Sequence, residues 1–376
     1  MTISDATPAG SVGTEQLVTA EERSLAARNH GFLLEALRYP VTPIGLHYLL
    51  IHFDVPLVDE SSWGLDIGGR VARAMRLDLA ALRGRPAVTR PVTMECAGNG
   101  RMAIHPRALS QPWGDEAVGT AAWTGTPLRP LLEEAGLLDG AREVVFSALD
   151  SGIENSVPHR FERSLSLDEA LRDDVLLVYE INGQPLSPQH GFPLRLIVPG
   201  WYGMTNVKWL TQITVVDEPF EGYQQMHSYR WRTDPADLGQ PLTRMRPRAL
   251  MVPPGVPDFF TRHRTVAPGA VELEGRAWSG SGPIRRVEVS TDGARGWVDA
   301  VLDPQPDRYA WVRWSFGWAA PEGEHELCCR ATDAEGNVQP LDAEWNVGGY
   351  VCNAVQRVPV TVRAVEVGSG AGNGSL

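Results

Sequence analysis

The sequence predicts an α+β domain followed by an immunoglobulin-like β-sandwich. From residue 20 to 232, short helical and strand patterns are mixed without the regular alternation of a doubly wound sheet. From Val271 onward the text reads as strands alone, separated by turn residues at short intervals. Between them, residues 233–258 carry repeated prolines and few long apolar runs, which suits a linker. The last domain is then 259–376. Residues 1–19, small and polar over most of their length, read as a disordered segment.

Taken in order, a short helix is expected from Ala20 to about Asn29. The apolar, aromatic stretch Gly45–Phe53 reads as a buried strand running into Pro56. From Trp63 a strand gives way to a helix over Leu77–Leu82, stopped by Arg83-Gly84-Arg85-Pro86. Val92–Glu95 alternates like the end of a strand. Pro127, well placed near a first turn, opens a helix through Leu137. Val144–Ala148 is a strand ending at Asp150-Ser151-Gly152, and Leu167–Arg172 is a short helix. Val175–Glu180 is a strand with a turn at Asn182-Gly183, and Leu194–Val198 and Val207–Val216 are further strands. In the last domain, strands are expected over Ile284–Ser290, Ala310–Phe316, Leu327–Thr332 and Val358–Val365.

The chain has 376 residues, 43% hydrophobic and 21% charged, a composition of the soluble globular class with room for two domains. Acidic residues outnumber basic ones 46 to 34, for a formal charge of −12. That argues against nucleic-acid binding but leaves room for a small basic pocket. The four cysteines, Cys96, Cys328, Cys329 and Cys352, show no C-x-x-C spacing and no zinc pattern, and adjacent Cys328 and Cys329 would point to opposite faces of a strand. No signal peptide, twin-arginine motif or long apolar span is seen, so no membrane partner is expected and the location reads as cytoplasmic, or periplasmic if the start is misassigned.

The most informative segment is Cys96-Ala97-Gly98-Asn99-Gly100-Arg101. A strand that ends in a thiol and turns through glycines presents the sulfur at a loop tip, where a bulky ligand can approach the backbone. A thiolate is a soft metal ligand, although by itself a lone cysteine is more often inert core packing. The second segment runs from His190 and Arg195 through a glycine-rich turn to Asn206-Val207-Lys208-Trp209. Such a set can wrap a phosphate-bearing cofactor. Taken alone, it reads more readily as a strand–turn–strand with surface charges.

The hexapeptide resembles the molybdenum-ligand loop of the sulfite oxidase family, and the resemblance extends from about Pro43 to Val362. It implies Cys96 as protein ligand to a molybdenum held by molybdopterin. It implies cofactor contacts at His52, Asp150, His190, Arg195, Asn206, Val207 and Lys208, with Ser151 or Glu154 as alternatives to Asp150. Trp113 would line a substrate pocket, whereas Trp123 reads as core. Glu221–Tyr229 resembles the segment delivering the family's active-site tyrosine, here Tyr229. Arg101 would hold an oxyanion, and sulfite would become sulfate while electrons pass to an external acceptor. The last domain resembles the family's dimerisation domain, which implies a homodimer.

Two positions depart from the family. Its usual Arg-Asn-His strand reads Leu50-Ile51-His52 here, and a second arginine is replaced by Gly348. Arg28-Asn29-His30 occurs earlier, either folding back into the pocket or ending a helix with cations. Arg357 is a further candidate for the anion site. Histidines other than His52 and His190 read as structural. The departures keep open a molybdenum enzyme for another oxo compound, such as a sulfoxide. A non-enzymatic sandwich binding protein is disfavoured by the intact Cys96, His190, Arg195 and Lys208.

Overall fold

The computed structural model describes residues 18–364. Of the expected disordered segment, residues 1–17 lie outside these. Val18 and Thr19 are ordered, because Thr19 caps α1 (Ala20–Ala26) in a capping box: its hydroxyl accepts from Glu22 N and the Glu22 carboxylate accepts from Thr19 N.

The first domain continues with β1 (Leu65–Gly69), β2 (Met75–Leu77), α2 (Leu79–Arg83), β3 (Val88–Glu95), β4 (Val118–Pro127), α3 (Leu128–Ala135), β5 (Glu143–Glu154), β6 (Val157–Ser166), α4 (Leu167–Ala170), β7 (Leu176–Ile181), β8 (Gln184–Pro185), β9 (Arg195–Ile197), β10 (Leu210–Val216) and α5 (Tyr223–Met226). One sheet has the order β2-β1-β10-β5-β6, with only β1 and β10 parallel; the other runs β3-β4-β7-β8, with β9 also on β7. A ribbon of β11 (Arg230–Trp231) and β12 (Gln240–Pro241) leads to the second domain. There β13 (Arg248–Met251), β14 (Val256–Pro257), β15 (Arg264–Val266), β16 (Gly269–Trp278), β17 (Ile284–Ser290), β18 (Val298–Asp299), β19 (Val301–Leu302), β20 (Val312–Ala320), β21 (Gly323–Asp333) and β22 (Gln356–Val362) form two sheets, β13-β16-β20-β19 and β14-β15-β22-β21-β17-β18. Their inner faces close over Leu273, Val287, Trp314, Leu327 and Val360.

Local chemistry explains most elements. In α3, Leu128, Leu131, Leu132 and Ala135 recur at helical spacing and are buried, and Gly136 at φ +73° stops the helix before Leu137. Asn182 and Gly183 both have positive φ, as the β7–β8 hairpin requires.

Four expectations are corrected. Gly45–Phe53 is not a strand. Ile44–Leu46 is a short 3-10 turn, and the rest pairs only at a single bridge, Leu49 with His30. Its backbone groups are satisfied by side chains instead: Ile51 N donates to Asn29 Oδ1 at 2.7 Å, and Lys208 Nζ donates to Leu50 O at 2.7 Å. Second, the strand expected over Val144–Ala148 runs on to Glu154, across an irregularity between Ser147 and Ser151, and turns at Asn155-Ser156 into β6, which was not anticipated. Third, β10 begins at Leu210, not Val207, because Trp209 adopts φ +49° and turns the chain out of the sheet. Fourth, 233–258 is not a plain linker, since β13 within it pairs with β16 over four residue pairs. Val365 lies outside the described residues.

Candidate active site

β3 delivers Cys96. The strand ends at Glu95, Cys96 N donates to Ala117 O at 2.9 Å, and the chain then turns so that Asn99 N donates to Cys96 O at 3.0 Å. Two glycines in the turn are required by space. A Cβ on Gly98 would lie 2.4 Å from Arg101 Nη2, and one on Gly100, at φ +86°, would lie 2.1 Å from Cys352 O. Burial raises the Cys96 thiol pKa, and Arg101 opposes this.

Cys96 stands in the wall between two clefts. The inner one, of about 60 Å³, is also lined by His47, His52, Asp150, His190, Arg195, Asn206 and Lys208. The second segment of the sequence is thus brought to the thiol, although the two lie about a hundred residues apart. Arg195, buried over the ring of Trp123 at 4.8 Å, donates to His190 O at 3.0 Å and Asn206 O at 3.2 Å. The Asn206 side chain, which lines the cleft, also holds the loop, accepting from Val198 N and donating to Tyr202 O. Val207 corrects an expectation: it is absent from the cleft wall, its side chain packs in the core, and its carbonyl accepts from Leu196 N. Asp150 lines the cleft as expected, whereas Ser151 is exposed and Glu154 belongs to the outer cleft.

Burial lowers the pKa of Lys208, with Arg195 reinforcing and Asp150 opposing; burial raises that of Asp150, with Lys208 opposing. Burial also holds His47 down to about 4, His52 to about 3 and His190 to about 2, so all three are neutral hydrogen-bonding groups at ordinary pH. His47, read from the sequence as structural, lines the inner cleft. It packs edge-on to His190 at 5.7 Å, and its buried Nε2 has no partner. Its place in an apolar run masked it.

The outer cleft, of about 320 Å³, is lined by Cys96, Arg101, Trp113, Tyr229, His52 and Arg28. Arg101 donates through Nη1 to Gln111 O at 2.8 Å and through Nε to Gly348 O and Gly349 O. Gly348 therefore supplies a carbonyl that fixes Arg101. Arg28 does both things its sequence allowed. It follows the end of α1 and folds back, with Nε 3.3 Å from Ile51 O and Nη2 3.4 Å from His52 O. A guanidinium thus reaches the cleft wall that Leu50 leaves apolar. Arg357 does not reach the site; it is on β22, paired with Glu326 at 2.7 Å.

Tyr229 sits at φ +55°, an uncommon backbone state for a tyrosine, held by Leu242 N donating to its carbonyl. Burial, Tyr350 and Cys96 push its phenol well above the ordinary range, so it stays protonated and shares a hydrogen bond with the neutral His52 Nε2. Arg163 lies 5.7 Å over its ring and Tyr350 packs 5.4 Å from it. Arg163, Tyr350, Tyr48 and Gln111 were not singled out from the sequence. Each is one of many of its type, on a segment with no distinctive spacing.

The chemistry of the inner cleft fits a phosphate-bearing pterin. A buried Arg195 and a half-buried Lys208 face one carboxylate, neutral imidazoles surround them, and the buried Arg195 Nε and His47 Nε2 have no partner. Among the described residues no group of three or more His, Cys, Asp or Glu could hold a metal. One thiol beside that cleft suits a metal whose other ligands arrive with its cofactor. Lys208→Met is expected to lower bound molybdopterin per chain by about tenfold or more, measured by metal analysis of purified protein.

Fold and site together define a molybdopterin-binding oxidoreductase. The family description "Oxidoreductase molybdopterin binding domain" matches residues 52–224, and "Mo-co oxidoreductase dimerisation domain" matches 255–363. Sulfite oxidase of Gallus gallus is 35% identical over 337 residues, covering 84% of this chain and 72% of that protein. Nitrate reductase [NADH] 1 of Oryza sativa subsp. japonica is 32% identical, covering 89% of this chain and 39% of that protein. Among solved structures, the sulfane dehydrogenase SoxCD from Paracoccus pantotrophus superimposes with a TM-score of 0.75 at 25% identity, over 97% of this chain and 96% of that one. The chain belongs to the sulfite oxidase family. It spans less than two thirds of the length of several curated relatives it matches, among them the rice enzyme.

Proposed function

We propose that the chain oxidises a sulfur oxyanion, with sulfite to sulfate as the reference reaction, at a molybdopterin centre ligated by Cys96. It would pass the electrons to an external acceptor and work as a homodimer through its second domain. The observation that carries this is the outer cleft, where Arg28, Arg101 and the Tyr229–His52 pair meet at the Cys96 wall. Relatives named for sulfite and sulfane oxidation support a sulfur donor.

The molybdenum centre, when bound, supplies the transferred oxygen and accepts the electron pair. The protein's part is binding and proton movement. In the inner cleft, Lys208, Arg195 and the imidazoles hold the cofactor's anionic and polar groups. In the outer cleft, Arg101 is rigidly aimed by three carbonyls and Arg28 adds a second guanidinium, a fork suited to oxyanions. Trp113 closes the floor, its buried indole beside the Cys96 thiol. The Tyr229 phenol donates to substrate or returns its hydrogen to His52, orienting a sulfur lone pair and steering protons during turnover.

The test is sulfite-dependent reduction of ferricyanide by protein of known molybdenum content. Turnover per molybdenum supports the reading. Full molybdenum with no oxidation of sulfite or any other sulfur oxyanion would overturn it and favour the second reading, a sulfoxide or other oxo compound, for which Leu50 and Gly348 at arginine positions argue. Arg28→Ala is expected to raise the KM for sulfite roughly tenfold with kcat little changed, because Arg28 binds the anion and lies at the rim.

A further inference from the structure

The outer cleft has a polar floor and an apolar rim. Its floor is formed by Cys96, Arg101, Trp113 and Tyr229, while Leu25, Leu50, Phe53, Leu109 and Ile153 contribute around its mouth. These rim residues come from four separate segments: α1, the stretch before Pro56, the loop after Arg101, and the β5–β6 hairpin. Leu109 and Ile153 are 63% and 72% exposed. Scattered surface leucines need no explanation, but large exposed apolar groups converging on one concave site do. At about 320 Å³, the cleft lies at the lower end of the range that takes small organic ligands, still more room than a four-atom anion fills.

The charge pattern points the same way. Leu50 places an isobutyl group where the family resemblance implies a guanidinium. The carboxylate of Glu154, held by Gln224 Nε2 at 2.8 Å, also faces the cleft. A doubly charged oxyanion there meets Arg28 with its Nε and Nη2 turned to Ile51 O and His52 O, and one repelling anion, Glu154. Replacing one S–O⁻ of the substrate by S–C removes a charge and adds an apolar group, which matches the replacement of guanidinium by isobutyl.

We propose that this cleft takes organic sulfinates, R–SO₂⁻, in preference to sulfite, with the sulfinate head on the Arg101 floor and R against the Leu50, Leu109 and Ile153 rim. This rests on the reading above that the site oxidises a sulfur oxyanion. The reaction is R–SO₂⁻ + H₂O → R–SO₃⁻ + 2H⁺ + 2e⁻. One S–O bond forms with oxygen that water replenishes, sulfur loses an electron pair, and two one-electron acceptors such as ferricyanide take it.

The experiment uses molybdenum-quantified holoenzyme with ferricyanide, comparing sulfite with methane-, butane-, hexane- and benzenesulfinate. The expected result is that kcat/KM rises roughly threefold per methylene from methane to butane, as burial of each group on an apolar wall predicts, and exceeds that for sulfite at least tenfold. A second readout is independent of turnover: in isothermal titration, hexanesulfonate should bind the oxidised holoenzyme at least tenfold more tightly than sulfate. Leu109→Ser combined with Ile153→Ser should flatten both chain-length trends. Sulfite turnover with no sulfinate turnover, or no preference for sulfonate over sulfate, would overturn this inference and leave the sulfite reading standing. Loaded enzyme that oxidises neither class would overturn both.

Discussion

Cys96→Ser is expected to give a folded protein with turnover reduced by more than the roughly 100-fold that changes to groups merely supporting a metal ligand cost. The substitution is nearly isosteric, and the buried backbone contacts of the loop, to Ala117 O and from Asn99 N, do not involve the sulfur. Stability should therefore change by no more than about 1–2 kcal/mol. The hydroxyl is harder and far less readily ionised than a thiol, so it makes a poor replacement for a soft ligand. The measurement is turnover per chain alongside molybdenum content and a thermal melt. A serine variant with full turnover would remove the central assignment, since no other described cysteine lines either cleft beside the Arg195–Lys208 set.

Arg248→Met is expected to destabilise the protein by about 3–5 kcal/mol, the cost of stranding a buried charge. Arg248 belongs to β13 of the second domain but is fully buried against the first. Its Nη1 lies 2.9 Å from Glu95 Oε1 and donates to Asn99 O, and its Nη2 pairs with Asp115. Burial works against its charge, but Asp115 and Glu95 outweigh that and hold its pKa above the ordinary arginine value. Glu95 also accepts from Trp278 Nε1 at 2.9 Å and Asn99 Nδ2 at 3.0 Å. It immediately precedes Cys96, so the sandwich domain clamps the thiol loop through one buried carboxylate. Losing the arginine leaves Glu95 charged and underpaired. Denaturant unfolding should show the loss, and the double variant Arg248→Met/Glu95→Gln should recover part of it because the stranded charge is gone. A single variant within about 0.5 kcal/mol of the parent would show that the clamp does not bear on stability.

Both effects were only half legible in the sequence. The Cys96 loop, the His190–Lys208 segment and the Tyr229 segment could be picked out because each is contiguous, with small or charged residues at close spacing. Glu95 and Arg248 lie 153 positions apart and carry no local signal. Arg28 was visible as a residue but undecided, since a helix-end cation and a pocket arginine look the same along the chain. His47 was passed over because an apolar run hides a histidine that the fold turns toward a cleft. The strand expected over Gly45–Phe53 failed for a related reason: a pattern read one-dimensionally assigns backbone partners within a sheet, whereas here Asn29 and Lys208 take them.

What the sequence determined by itself was the periodic and the local: the α3 stripe with its glycine stop, the Asn182-Gly183 hairpin, the alternating sandwich strands, and the glycines that let the Cys96 loop turn. These depend on residues within a few positions of one another, where sterics and hydrophobic period act directly. The tertiary structure alone decided which distant groups face each other: Arg28 at the wall beside Leu50, Gly348 as a carbonyl anchor for Arg101, His52 beneath Tyr229, and Arg248 across the domain boundary. Charge, hydrogen bonding and desolvation act through space, and their partners become neighbours only when the chain has closed its core.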